Sequence, residues 1–313
     1  MTVGIVLTNG LESIVITDSR ESGLGRQSDS VNKMGEFSAD QYRGAIYGAG
    51  SGNILESIIK NLSTFSGDSL DDFLAAIHQE FQRKGNDIDR LILQNGQAEI
   101  DKKASIITNN DERAAFISQS RSRLLNDYDK MREESRTTFA VVAYDKKRDK
   151  ARIFAITRSL VSELYLDHNE LGSGLDGANL HLVTHLQGLN IRQLSSFELA
   201  FFAVNAYSNS TINAGVGGTP KLLSVAKEGA AVLSVEKTVA LTNLSGAYIA
   251  RYQDGILSPS QVIAWFKEIF ESQQPNYDVM SSAIDLNADT FTTTYIPLSS
   301  WVERSNKQLF PKK

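Results

Sequence analysis

The second residue of the chain is Thr2, with one methionine ahead of it and the apolar run Val3–Leu7 behind it. A threonine hydroxyl is a weak nucleophile until a base removes its proton. With Met1 gone, Thr2 carries that base itself, because a free α-amino group has a reference pKa of about 7.7–8.0 and can take and return a proton near neutrality. The chemistry available to such a residue is acyl transfer, in which the hydroxyl adds to a carbonyl, an acyl ester forms and water releases it. Other chemistries lose ground on composition. The chain has no cysteine, which excludes disulfides, thiolate metal sites and cysteine nucleophiles. Its four histidines are His78, His168, His181 and His185, and although the last two are four apart, no glutamate stands beside His181 as a zinc protease requires. Neither a metal nor another cofactor is expected. The run "GAGSG" (48–52) before an apolar segment offers backbone donors, but it lacks the lysine of a phosphate-binding loop and the spacing of a dinucleotide fingerprint.

The elements that would hold Thr2 follow from patterning. Two β-branched runs, Val3 to Leu7 and Ser13 to Thr17, flank "TNGLE", and Asn-Gly between such runs is a strong hairpin signal. Ala45 to Tyr47 reads as a strand entering the glycine turn. Beyond the turn Ile54, Leu55, Ile58, Ile59 and Leu62 repeat at helical spacing, with Asn53 and Glu56 placed as a capping box. A second amphipathic helix is expected from Leu70 to about Lys84, capped by Ser69. Residues 85–136 are polar and charge-rich, with "NNDERAAFISQSRSRLLNDYDKMREESR" reading as one exposed or partly packed helix. Strands return in "TTFAVVAYDKKRDKARIFAITR" around a charged turn, and "LVSELYLD" leads into the small loop "LGSGLDG". Ser195 and Glu198 form a capping box ahead of an apolar helix, and Ser258 with Pro259 opens another. The tail reads as mixed strand and loop. Two hairpin blocks, each followed by helices, point to an α+β chain with helices covering the sheets.

At 313 residues, 41% apolar and 22% charged, the chain is an ordinary folded protein, and no linker divides it. A net charge of −5 argues against a broad nucleic-acid surface. The absence of a long apolar stretch and of a signal-peptide pattern argues against a membrane partner and for a cytoplasmic location.

Several of these pieces occur together in a recognisable order. "TVGIVLTNGLESIVITDSR", "SVNKM", "YGAGSGNILESIIKNL", "LGSGLDG" and "INAGVGGTPKLLSV" resemble the proteasome β-type subunit family, as a bacterial proteasome-like homologue. The resemblance covers about residues 2–80 and 137–235 and leaves a helical insertion (about 85–136) and a C-terminal extension (about 236–313) within a single domain. It implies a four-layer αββα sandwich of the N-terminal nucleophile hydrolase type. It places Thr2 as nucleophile, with Asp18 and Lys33 beside it, the ammonium favouring the alkoxide and the carboxylate holding the lysine. Arg20 fits the family's "DSR" stretch. Gly48 is the backbone donor to an oxyanion, and Ser173 lies near the threonine amine. One motif departs. The family has an aspartate three residues before a serine that precedes two glycines, whereas this chain has Asn213 and Val216, and asparagine accepts a hydrogen bond without carrying charge. Val31, Gly35, Ile46 and Gly50 are implied to line the pocket for the residue before the scissile bond, with an apolar preference.

The resemblance therefore implies a threonine peptidase acting on peptide or unfolded protein within a homo-oligomeric ring or helical assembly, and leaves an ATPase partner open. An amidase or peptide ligase on the same fold, or a catalytically silent ring-forming subunit, are the alternatives. Read without the resemblance, Asp18 and Lys33 are a surface ion pair worth under about 1 kcal/mol.

Overall fold

A computed structural model describes residues 3–19, 21–23, 26–28, 33–50, 52–65, 67–134, 137–172, 175–212, 218–251 and 257–309. The expected hairpin forms: β1 (Val3–Thr8) pairs antiparallel with β2 (Ser13–Thr17), Ile5 facing Ile16. Its turn is built by two residues. Asn9 Oδ1 accepts from the amides of Leu11 (2.9 Å) and Glu12 (2.7 Å), and Gly10 adopts φ 91°, a left-handed conformation that costs glycine little.

Among the described residues the strands form two five-stranded antiparallel sheets and one short ribbon. The first sheet runs β10 (His168–Gly172), β1, β2, β11 (Lys221–Val225), β12 (Ala230–Val232). The second runs β5 (Met34–Ser38), β6 (Tyr42–Ala49), β7 (Thr138–Asp145), β8 (Lys150–Ile156), β9 (Val161–Leu164). The ribbon pairs β3 (Glu21–Gly23) with β4 (Arg26–Ser28). β1 is thus an interior strand. β9 and β10 are neighbours in sequence but belong to different sheets, so the chain crosses over between them.

The inner strands of both sheets are buried on both faces, and period-two alternation sorts their side chains into three cores. Val3, Ile5, Leu7, Ile14, Ile16 and Leu222 face a cluster formed with α4 (Leu175–Leu186), α5 (Ser196–Ser210), α6 (Val235–Arg251) and later helices. Val6, Val15 and Leu223 turn the other way and meet Ala45, Tyr47, Ala140, Val142 and Ile153 of the second sheet. The far face of the second sheet, with Ile46, Phe139, Val141 and Phe154, packs on α1 (Gly52–Lys60) and the start of α2 (Leu70–Ala104).

Several helix boundaries differ from expectation. The capping box at Asn53 does not open α1, because the helix starts at Gly52 and Asn53 lies within it. Ser69 does cap α2, accepting from the Asp72 amide at 3.2 Å. That helix does not stop near Lys84. It runs 35 residues in all, roughly 50 Å, and α3 (Asn110–Glu134) folds back along it, with Leu124 against Gly96. Past Ile88, which still packs on the second-sheet core, its partner is α3, so the apolar stripe thins without the helix ending.

The tail is helical, correcting the expectation of mixed strand and loop. After α6 come α7 (Pro259–Glu271), α8 (Tyr277–Ala283), α9 (Ala288–Thr293) and α10 (Leu298–Leu309). Ser258 caps α7 through the Gln261 amide, with Pro259 in its first turn. Asn287 caps α9 through the Thr290 amide at 2.7 Å, and Phe291 from that helix is fully buried in the α5–α6 core. Packing outweighs the β-branched composition of "TFTTT". Asn243, fully buried on α6, fastens this tail: its Nδ2 donates to the carbonyls of Phe291 (3.0 Å) and Thr294 (2.9 Å), and its Oδ1 accepts from the Ile296 amide (2.9 Å).

Candidate active site

Asp18 follows the last residue of β2, and Lys33 precedes the first residue of β5. They come from different sheets, and both are 1% exposed. Lys33 Nζ donates to Asp18 Oδ1 at 3.0 Å, so the surface-pair reading gives way to a buried ion pair. The same Oδ1 accepts from the backbone N–H of Val3 at 3.1 Å, and the Asp18 amide donates back to the Val3 carbonyl at 3.2 Å. The Val3 nitrogen is bonded directly to the carbonyl carbon of Thr2. One carboxylate oxygen therefore holds the lysine ammonium and the amide that follows Thr2 within two hydrogen-bond lengths, roughly 6 Å, of each other.

The register of β5 on β6 fixes the lysine end. Gly48 donates its N–H to the Lys33 carbonyl at 3.0 Å, which ties Lys33 to the end of the second sheet. That N–H, expected as the oxyanion donor, is thus engaged by the sheet ladder in this structure. Glycine is required at 48 for packing: a Cβ there would lie 2.3 Å from Leu55 Cδ2 and 2.9 Å from the Thr138 carbonyl oxygen. Gly50, at the exit of β6, has φ 118°, which favours glycine.

Tyr47, missed by sequence reasoning, buttresses the site from the sheet interface. Its ring occupies the place a side chain at Gly4 would take, with a Cβ there only 2.6 Å from Tyr47 Cδ2. Its hydroxyl receives from Asn169 Nδ2 (3.2 Å) and donates to the Asn169 carbonyl (3.4 Å), and burial pushes its pKa up. The alternation of "AIYGA" with a glycine at position 4 was the available signal. On β10, burial also pushes the Glu170 carboxyl up, opposed by His168, whose Nε2 lies 3.7 Å away.

The structure thus brings Asp18, Lys33, Gly48 and the Val3 amide together. Thr2, Val31, Ser173 and Asn213 lie outside the described residues. Of the pocket residues, Gly35 lines a cavity of about 380 Å³. Ile46 does not: it is fully buried beneath α1 and α2, because it points to the opposite face of β6 from Tyr47. Among the described residues no group of three histidine or acidic side chains is placed to hold a metal ion, and no helix is long and apolar enough to cross a membrane.

No family model and no curated protein matches the chain. Solved structures do. An Anbu (Gly-1) mutant from Hyphomicrobium sp. strain MC1 is similar with a TM-score of 0.53 at 12% identity, over 82% of this chain and 99% of that one. Anbu from the same strain gives a TM-score of 0.51 at 11% identity, over 82% and 98% of the two chains. The fold is Anbu-like. These matches correct the assignment to the proteasome β-type family, which no family model carries; at this identity the likeness is one of proteasome-like fold alone. Within that fold the Asp18–Lys33 pair sits where the first strand begins, at an end that both sheets share.

Proposed function

We propose that the chain is an N-terminal threonine hydrolase of the N-terminal nucleophile type, with its layers ordered helix–sheet–sheet–helix. Three separate apolar cores support that order, one between the sheets and one on the outer face of each. The observation that carries the activity is the buried Asp18–Lys33 pair hydrogen-bonded to the amide next to Thr2. A structural ion pair has no need of that position, and burying one is costly.

In this reading Met1 is removed, the Thr2 hydroxyl adds to a peptide carbonyl, and its proton passes to the Thr2 α-amine. The C–N bond breaks as that proton is delivered to the leaving amine, leaving an acyl ester on Thr2. Water adds to the ester and gives its proton to the amine; the ester C–O bond then breaks as that proton returns to the Thr2 oxygen, which frees the acid and restores the hydroxyl. Lys33 lowers the energy of the alkoxide, and Asp18 fixes both Lys33 and the strand that bears Thr2. Ser173 and Asn213 are proposed to assist at the amine. The oxyanion donor is a group other than the Gly48 N–H. Assembly into a ring or helix is proposed as well, and exposed Leu180, Val183 and Ile212 supply apolar surface for it.

The silent-subunit reading is favoured by one observation, the engagement of the Gly48 N–H by Lys33. Intact mass decides between the two. The active reading expects loss of the initiator methionine and one covalent adduct with a peptide epoxyketone, absent in Thr2→Ala. Retained Met1, or equal labelling of Thr2→Ala, ends it.

A further inference from the structure

The C-terminal helices are joined to the rest of the fold through one hydroxyl. α10 opens without a side-chain cap of its own. The Pro297 carbonyl takes its first intrahelical bonds, from the amides of Ser300 (3.0 Å) and Trp301 (3.3 Å), and proline has no side-chain oxygen to offer the free amides of that turn. Thr211, which caps the C-terminal end of α5, supplies one. Its Oγ1 accepts from the Leu298 amide at 3.3 Å and donates to the Ser208 carbonyl, in the last turn of α5, at 2.6 Å. Both Thr211 and Leu298 are buried, so the bond is made away from water. A hydroxyl that served only its own helix would need the Ser208 bond alone; the second bond spans 87 residues of chain.

The end of α5 is also where the supports of the candidate site converge. Gly177, in the first turn of α4, lies so close that a Cβ there would be 3.2 Å from the Asn209 carbonyl oxygen and 3.3 Å from Ser210 Cα. α4 begins three residues after Gly172, which is the partner in β10 of Val3, whose amide Asp18 holds. β11 begins at Lys221, opposite Thr17 and so next to Asp18. α5 itself shares a core with the hairpin, since Ala203, Ala206 and Tyr207 are buried with Val3 and Ile16. In sequence, Asn213 follows Thr211 by two residues. The far side of the bridge is equally fixed, because Asn243 fastens the stretch from Phe291 to Ile296 to α6.

We infer that Thr211 is a positioning residue through which the docked C-terminal helices hold the end of α5, and with it the start of β1, in place beside the Asp18–Lys33 pair. Close packing makes the transfer direct: the end of α5 cannot shift without moving Gly177 or the core around Val3. The inference rests on the hydrolase reading for its kinetic consequence only; the mechanical coupling needs no catalysis.

The test uses the full-length protein and three variants. Thr211→Val keeps the shape and removes both hydrogen bonds, Thr211→Ser keeps the hydroxyl, and Ser69→Ala removes a helix cap from the outer layer of the other sheet. With a fluorogenic peptide, kcat should fall about tenfold or more in Thr211→Val while KM stays within about twofold. Thr211→Ser should stay within about twofold of the parent in both constants, and Ser69→Ala should change neither. Amide hydrogen exchange, read by mass spectrometry, should quicken about threefold or more in Thr211→Val, both in 291–309 and in peptides containing Asp18, whose amide bonds the Val3 carbonyl. Unchanged kcat in Thr211→Val, an equal loss in Thr211→Ser or Ser69→Ala, or faster exchange confined to 291–309 overturns the inference. Where Thr211→Val does not fold, exchange of the parent in rising urea decides: opening of 291–309 must release the Asp18 amide with it, and opening that leaves Asp18 exchange constant overturns the inference. A parent that cleaves nothing rejects the hydrolase reading, and the exchange of 291–309 and Asp18 then decides the coupling by the same outcomes.

Discussion

Replacing Asp18 by asparagine separates a chemical role of the ion pair from a structural one. The substitution conserves shape and leaves the Lys33 ammonium, 1% exposed, without the carboxylate 3.0 Å away. Removing one partner of a buried pair costs about 3–5 kcal/mol, because the remaining charge stays in a poorly solvating place. With an unfolding entropy of about 2.1 cal/mol/K per residue, each kcal/mol shifts the melting temperature of a chain this long by roughly 1.5 °C. Asp18→Asn should therefore melt about 5–7 °C lower. Lys33→Met should fall by a similar amount. The double variant removes both charges and should recover most of the loss, since a neutral, well-packed replacement of a buried pair is often as stable as the pair. Activity should not follow. Hydrolysis of a fluorogenic peptide should be lost in both single variants and remain lost in the double variant, measured beside thermal unfolding. Recovery of hydrolysis together with melting temperature would show that the pair serves only to hold β2 and β5 together. A shift below about 1.5 °C in Asp18→Asn would mean that the pair is solvated and the energetic argument is wrong.

Two further outcomes test other parts of the molecule. Asn243→Ala removes the partner of two backbone carbonyls and one amide, of which the Phe291 carbonyl and the Ile296 amide are buried, and should cost about 3–5 kcal/mol, with faster proteolytic release of the segment after α7 than in the parent. His181, its pKa pushed down to about 3 by burial and then by the charge of His185, is neutral in the fold, while the unfolded chain binds a proton below about 6.5. The unfolded state then holds more protons between these values, so stability from this group is full above pH 6.5 and lost as pH falls toward 3. Melting temperature should fall less steeply from pH 7 to pH 4 in His181→Gln than in the parent, and parallel curves would exclude the effect.

The parts of this architecture open to sequence reasoning are those set by local rules. The Asn9–Gly10 turn, the caps at Ser69, Ser195 and Ser258, and the proline after Ser258 each act within four residues of chain, and each forms. Features set by distant partners were closed to it. Nothing near Leu164 announces that the next strand joins the other sheet, because both strands present the same half-buried pattern. "TFTTT" reads as strand in isolation and becomes helix because Asn287 caps it and Phe291 is taken into a core built 50 residues earlier by α6. α2 outlasts its apolar stripe because α3 covers its distal half. At the site, Asp18 and Lys33 could be named from the sequence, but their burial and the shared Oδ1 depend on two sheets meeting, which no spacing along one strand encodes.

That dependence has a mechanical consequence. Asp18 extends from the first sheet and Lys33 from the second, so the 3.0 Å contact between them is set by how closely the two inner faces approach. Val6, Val15 and Leu223 on one side and Ala45, Tyr47 and Val142 on the other fill that space, and close-packed interiors transmit strain rather than absorb it. Gly4 is a tight contact between the sheets, one residue from the amide that Asp18 holds, with Tyr47 filling the place of its missing side chain. A methyl group at position 4 must displace either the Tyr47 ring or β1 itself. Moving the ring disturbs its paired hydrogen bonds with Asn169, and moving β1 carries the Val3 amide away from Asp18. The start of the first strand is therefore positioned as much by the packing between the sheets as by the ion pair, and the geometry around Thr2 is a property of both sheets together.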